Sequence, residues 1–167
     1  SGEDLLEVIA FDTQPTRVVR MTAAKHRARI QGDIARIQPG GGTEIFAALD
    51  AAYQALTVAR ARKKHVILLT DGQAPQNGIR DLTQAMVAEG ITVSTVGLGA
   101  GIDESLLRMV ADLGGGRFYK VADPQSLPRV FTRETEMVSR SAAVEEYFQP
   151  KVATRADFLR GIDIAGA

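Results

Sequence analysis

Thr43 and Asp71 are the two side chains whose types and settings could do chemistry together. Asp71 ends the run His65-Val-Ile-Leu-Leu-Thr-Asp71-Gly72. Val66 to Thr70 are apolar or β-branched without a polar break, the pattern of a strand buried on both faces in a parallel sheet covered by helices. The Asp71 carboxylate then emerges at the strand's carboxyl end, the edge where open α/β sheets bind ligands. Thr43 closes Gly40-Gly41-Gly42-Thr43 and opens a helix. A hydroxyl and a carboxylate so placed can share one small, hard cation, because Mg²⁺ and Ca²⁺ take oxygen ligands. Each also has a plainer role. Asp71-Gly72 suits a simple turn, and Thr43 suits a helix cap, which contributes roughly 1 kcal/mol.

The elements that must position these groups are legible as alternating patterns. Leu5 to Phe11 reads as a strand, Asp12-Thr13-Gln14-Pro15 as a turn, and Thr16 to Met21 as a second strand of a hairpin. Thr22 is expected to cap a helix reaching about Ile37, with Ile30, Ile34 and Ile37 at helical spacing, ended by Pro39 and the glycines. The helix opened by Thr43 carries the stripe Ile45, Phe46, Leu49, Ala52, Tyr53 and Leu56. After the strand at 65–70, Leu82, Ala85 and Met86 mark a helix ending near Glu89-Gly90, and Ile91 to Val96 is β-rich. Asp103 caps a helix bearing Leu106, Leu107, Val110 and Leu113, stopped by Gly114-Gly115-Gly116; Glu104 favours the helix dipole. Arg117 to Val121 reads as a short strand, with Phe118 and Tyr119 packing on the sheet. Asp123-Pro124 starts a last helix with Leu127, Val130, Phe131 and Val138 on its apolar side. Alternation of strand and helix implies a mostly parallel sheet.

Composition bounds what this fold can do. Lys plus Arg equals Asp plus Glu at 20 each, so nothing points to bulk attraction to nucleic acid or an anionic membrane. The local basic run Arg60-Ala-Arg62-Lys63-Lys64 suits a helix C-terminus. With no cysteine, disulfides, thiolate catalysis and zinc–sulfur sites are excluded. No apolar stretch reaches the roughly 18 residues of a membrane helix. The chain begins Ser1-Gly2-Glu3-Asp4 without Met, as expected of a slice of a longer polypeptide, so an anchor or export signal could lie in the missing part.

Competing chemistries find little support. No Lys follows the glycines before Thr43 as in a phosphate-binding P-loop. Gly97-Leu-Gly99-Ala-Gly101 has the wrong spacing for a dinucleotide fingerprint and follows a late strand, although a nucleotide-binding Rossmann-like regulator or enzyme remains the alternative it would support. His26 and His65 have no nucleophile at a suggestive spacing and read as surface or edge histidines; Asp12 reads as a turn residue.

Taken in order, Val8-Ile-Ala-Phe11-Asp12, Gly40-Gly-Gly-Thr43, Val66-Ile-Leu-Leu-Thr70-Asp71-Gly72, Ile91-Thr-Val-Ser-Thr-Val-Gly-Leu-Gly99 and Gly115-Gly-Arg-Phe-Tyr119 resemble a von Willebrand factor type A domain over roughly residues 5–138. The resemblance implies a three-layer, Rossmann-like α/β fold, a mostly parallel sheet flanked by helices. It also implies a non-catalytic protein-interaction module with a metal-ion-dependent adhesion site, where a partner's acidic side chain completes the shell of Mg²⁺ or another divalent cation. Thr43 and Asp71 match two of that site's ligands. The family's Asp-x-Ser-x-Ser motif is absent from the 167 residues. The match therefore implies a domain lacking the family's first central strand and first helix, a partial site, and no tightly bound metal in this chain. A third expectation is a structural assembly domain with a degenerate metal site.

Loss of that strand would leave two inner sheet edges with unpaired backbone groups. The gap is expected to be closed by the carboxyl-terminal tail, by a second copy in a homodimer through the exposed edges, or by direct pairing of the edges. Residues 1–138 form the expected truncated domain and 139–167 a linker or the start of a following domain. The tail, with Ala-Val-Glu145-Glu-Tyr-Phe-Gln-Pro150, is similar to the segment after the type A domain in large bacterial membrane proteins that continue into a glutamine-amidotransferase-like domain. That likeness implies a soluble domain of a bacterial membrane-anchored protein, with no direct membrane insertion by this segment.

Overall fold

The computed structural model describes residues 4–38 and 40–146. Strands β1 (Leu5–Phe11) and β2 (Pro15–Ala23) form an antiparallel hairpin, with Leu5 opposite Ala23 and Phe11 opposite Pro15. Its turn is locked by Asp12, whose Oδ1 accepts from Gln14 N at 3.0 Å. Helices α1 (Arg27–Ile34) and α2 (Ile45–Val58) follow. Then β3 (Lys64–Thr70), β4 (Ile91–Leu98) and β5 (Gly115–Val121) make a parallel sheet in the order β3-β4-β5. Helix α3 (Ile79–Ala88) connects β3 to β4, and α4 (Glu104–Leu113) connects β4 to β5. A 3-10 turn at Pro124–Ser126, capped by Asp123, leads into α5 (Leu127–Glu146).

Alternation along the strands builds three layers, because successive side chains point to opposite faces. Leu68 of β3 and Ile91 and Val93 of β4 turn to one face. There they meet Ile45 and Leu49 of α2, Ile79, Leu82 and Met86 of α3, and Leu106, Leu107 and Val110 of α4 in one core. His65, Ser94, Arg117 and Tyr119 turn to the other face and meet Glu134 of α5. This is the expected Rossmann-like α/β arrangement, a parallel sheet flanked by helices.

Several expectations need correction. The run 65–70 was expected to be buried on both faces, but only Leu68 and Thr70 of it are fully buried. The doubly buried strand is β4, where Val93 to Gly97 are all buried. The reason is position: β4 lies between two strands, whereas β3 pairs only with β4 among the described residues. Direct pairing of β1 with β3 does not occur, since the hairpin and the parallel sheet are separate sheets; α2 packs against β1, β2 and β3 and links them. The tail beyond Glu146, another candidate for filling that position, lies outside the described residues. Thr22 does not cap α1. It belongs to β2, and His26 precedes the helix without a side-chain cap. The helix is shorter than expected, and Ile34 and Ile37 are exposed at 41% each.

Asp103 caps α4 as expected, its Oδ1 accepting from Leu106 N at 3.0 Å. Replacing it by Ala removes a partner for an orphan helix N–H. Asp103→Ala should cost about 1 kcal/mol in urea unfolding. Leu107→Ala, in the middle of the core and 1% exposed, should cost about 2–5 kcal/mol in the same measurement.

Candidate functional site

Four loops converge at the carboxyl end of the sheet. The first follows β1. Asp12 closes the hairpin turn, with Thr13 Oγ1 donating to its Oδ1 at 3.3 Å, and its backbone oxygen accepts from Glu44 N at 2.8 Å. Hydrogen bonding to the Gln14 amide is the largest influence on its carboxyl, which is held below the usual range. The second loop, 40–44, lies against the first. Gly42 there has φ +92°, and a Cβ on it would stand 2.7 Å from Thr13 Cγ2, so only glycine fits.

The third loop leaves β3. Thr70, buried, accepts from Gly72 N at 3.3 Å through its Oγ1, which turns the chain sharply and leaves Asp71 exposed. Gly72 brings the second and third loops together. A Cβ at this position would lie 2.8 Å from Thr43 Oγ1, so the Thr43 hydroxyl rests on the residue next to Asp71. The fourth loop follows β4, where a Cβ on Gly101 would be 3.3 Å from the Asp71 backbone oxygen. Gln76 Nε2 donates to Asp103 Oδ2 at 2.7 Å and ties the third loop to the start of α4. The Leu106 backbone amide first, then the Ser105 hydroxyl and the Gln76 side-chain amide, keep the Asp103 carboxyl below its usual range.

Thr43 does not cap α2, contrary to the plainer expectation. Glu44 is the N-cap, and no side chain caps the helix. The Thr43 hydroxyl is therefore not committed to capping and is half-buried beside the Asp71 turn. Hard oxygen donors of this kind suit Mg²⁺ or Ca²⁺, but such ions take six or more ligands. Among the described residues no three His, Cys, Asp or Glu side chains gather closely enough to hold a metal ion. Thr43 and Asp71 alone do not make a cradle.

Gly97, the first glycine of the segment suggestive of a dinucleotide site, is a packing position. A Cβ there would meet Ile102 Cδ1 at 2.5 Å and Leu107 Cδ1 at 2.9 Å, so core methyls fill the space above it. His65 lies on the edge strand β3 but is not a surface histidine: its side chain is 11% exposed and faces Glu134. Glu134 escaped the sequence reading. Its signal was a carboxylate on the apolar side of the last helix, three residues after Phe131 and four before Val138. Tyr119 packs on the sheet as expected and also donates to Glu134, while Phe118 lies 4.6 Å under the Arg108 guanidinium.

Comparison with known proteins places this geometry. The chain is 29% identical over 136 residues to calcium-activated chloride channel regulator 3A-1 of Mus musculus, covering 78% of this chain and 15% of that protein. It is 21% identical over 164 residues to the uncharacterized protein YfbK of Escherichia coli strain K12, covering 91% and 28%. The chain thus spans well under a third of either relative's length. Among solved structures, a von Willebrand factor type A protein from Catenulispora acidiphila superposes with TM-score 0.74 at 24% identity, over 85% of this chain and 34% of that one. The conserved hypothetical protein BatB from Bacteroides thetaiotaomicron gives 0.70 at 18% identity, over 83% and 80%. Proximal thread matrix protein 1 from the mussel byssus, described with a zinc-occupied MIDAS motif, gives 0.63 at 22% identity, over 81% and 34%. The family model for the von Willebrand factor type A domain matches residues 3–133, and the chain belongs to that family.

Proposed function

We propose that this domain is a non-catalytic protein-interaction module that binds a partner's acidic side chain through a divalent cation, with Thr43 and Asp71 as two of the ligands. The observation that carries this reading is the packing of the Thr43 hydroxyl on Gly72, which brings a hydroxyl not used as a helix cap to the residue next to the exposed Asp71 at the sheet's carboxyl edge. The family consists in general of interaction modules, and the mussel neighbour's description with a zinc-occupied MIDAS motif supports a metal role for this edge of the fold. Mg²⁺ is the expected ion in the intact protein, because both donors are hard oxygens. Its remaining ligands come from outside the described residues, so the 167-residue chain alone holds no Mg²⁺ tightly.

A second reading, a structural assembly domain with a degenerate site, is favoured by the lack of any cluster of three metal-ligating side chains among the described residues. The nucleotide-binding alternative is disfavoured by the core methyls packed over Gly97. In the wider protein we assign residues 1–138 to the interaction domain and 139–167 to a linker or the next domain, in a bacterial membrane-anchored polypeptide. The β3 edge offers a surface for a second copy of the chain, and no role for nucleic acid is proposed.

Calorimetric titration of the 167-residue chain should show no micromolar Mg²⁺ affinity; a micromolar Kd would contradict the partial-site reading. In the longer protein, Asp71→Ala and Thr43→Ala should each weaken metal-dependent partner binding at least about tenfold, since a hard cation that loses one of few protein ligands dehydrates at a net loss. Partner binding that survives both substitutions and chelation unchanged would favour the assembly reading.

A further inference from the structure

Among the described residues, Glu134 is the only charged side chain that is fully buried. It projects from α5 onto one face of the parallel sheet and meets a side chain from every strand of it. Ser94 Oγ of β4 donates to its Oε1 at 2.5 Å, and Tyr119 OH of β5 donates to its Oε2 at 2.6 Å. Arg117 Nη1, also on β5, donates to both oxygens at 3.0 and 3.2 Å. His65 Nε2 of β3 lies 3.3 Å from Oε1.

The apolar contribution to holding α5 is small. Leu127, Val130, Phe131, Met137 and Val138 are only half-buried, and among the side chains described for this helix, those up to Ser141, none that is hydrophobic is in the fully buried core. Docking of α5 thus leans on the carboxylate cluster, in contrast to α4, which buries four residues. Within the cluster the imidazole is the weak member. Its Nδ1 is 2.7 Å from Thr92 Oγ1, whose hydroxyl also donates to Lys64 O at 3.4 Å. Nε2 is buried, yet it is not aligned for a hydrogen bond with Glu134 in spite of the short distance. A buried polar atom without a partner costs free energy that hydration would recover.

We propose that the His65–Glu134 contact is a proton-operated release for α5, and that mild acid favours a state in which the helix has lifted from the sheet and His65 is hydrated. The sign follows from linkage. Burial, the largest influence, pushes the His65 imidazole below its usual 6.5; Glu134 opposes that shift, and Arg117 adds to it. A base whose docked pKa is depressed binds its proton better once released. The docked state therefore loses stability as pH falls below 6.5 and until the docked pKa is passed, by at most about tenfold in the equilibrium per pH unit for one proton. The other groups facing the cluster titrate elsewhere. Burial most strongly opposes the Glu134 charge, but hydrogen bonds from Ser94 and Tyr119 with the Arg117 and His65 charges outweigh it and hold the carboxyl below 4.5. Burial and the Glu134 carboxylate push Tyr119 above 10.

Amide hydrogen exchange on the full chain at pH 7.0 and 5.5, corrected for intrinsic rates, tests this. Protection of α5 should fall several-fold at the lower pH while β4 protection stays constant. His65→Gln, which cannot titrate, should remove the pH dependence. If that variant does not fold, NMR titration of the His65 imidazole in the unaltered chain should give a pKa below 6.5. Protection of α5 that is flat with pH, a drop that persists in His65→Gln, a drop shared equally by β4, or a His65 pKa at or above 6.5 would each overturn the proposal.

Discussion

The architecture rests on the double burial of β4. Five consecutive residues of this strand, Val93 to Gly97, are removed from water, and its backbone is satisfied on both sides by β3 and β5. A strand so placed must be covered on each face, and the chain covers the two faces by different means. One face is closed by the apolar surfaces of α2, α3 and α4. The other receives α5 on a carboxylate whose hydrogen bonds come from Ser94, Arg117 and Tyr119. Apolar contact is non-directional and tolerates sliding, whereas a carboxylate read by donors on two strands fixes the helix in one register.

The face under α5 and the carboxyl edge of the sheet are chemically opposite. On the face under α5, Ser94, Arg117 and Tyr119 are all engaged with Glu134. At the carboxyl end, glycines let loops approach within van der Waals distance, and the oxygens of Thr43 and Asp71 are left unengaged by the helix start that follows Thr43. The first arrangement serves cohesion. The second leaves donors for something other than the chain itself, as expected at the edge where α/β sheets bind ligands.

The order of elements was readable because period and punctuation agreed. The stripe from Ile45 to Leu56, the Asp103 cap and the Gly114-Gly115-Gly116 stop each matched the structure within a few residues. Burial was less legible. The apolar runs of β3 and β4 look alike in one dimension, and only pairing on both sides separates the central strand from the edge strand. Thr22 and Thr43 have the right type for caps, but tertiary context extended β2 through Thr22 and began α2 beyond Thr43. Glu134 and His65 are 69 positions apart and sit in unremarkable local sequence; their meeting is a product of topology. For the site, motif order pointed to the loops of Thr43 and Asp71, whereas Gly72 as the point where those loops touch required coordinates.

The linkage of the hairpin to the parallel sheet has a mechanical consequence. Among the described residues no ladder of backbone hydrogen bonds joins the two sheets, and α2 is the strut between them. Hydrogen-bonded strands resist shear along their axis together, whereas side-chain packing under a helix yields gradually. Local opening of β1, β2 and the sparsely buried α1 would therefore leave the ladder of β3, β4 and β5 intact.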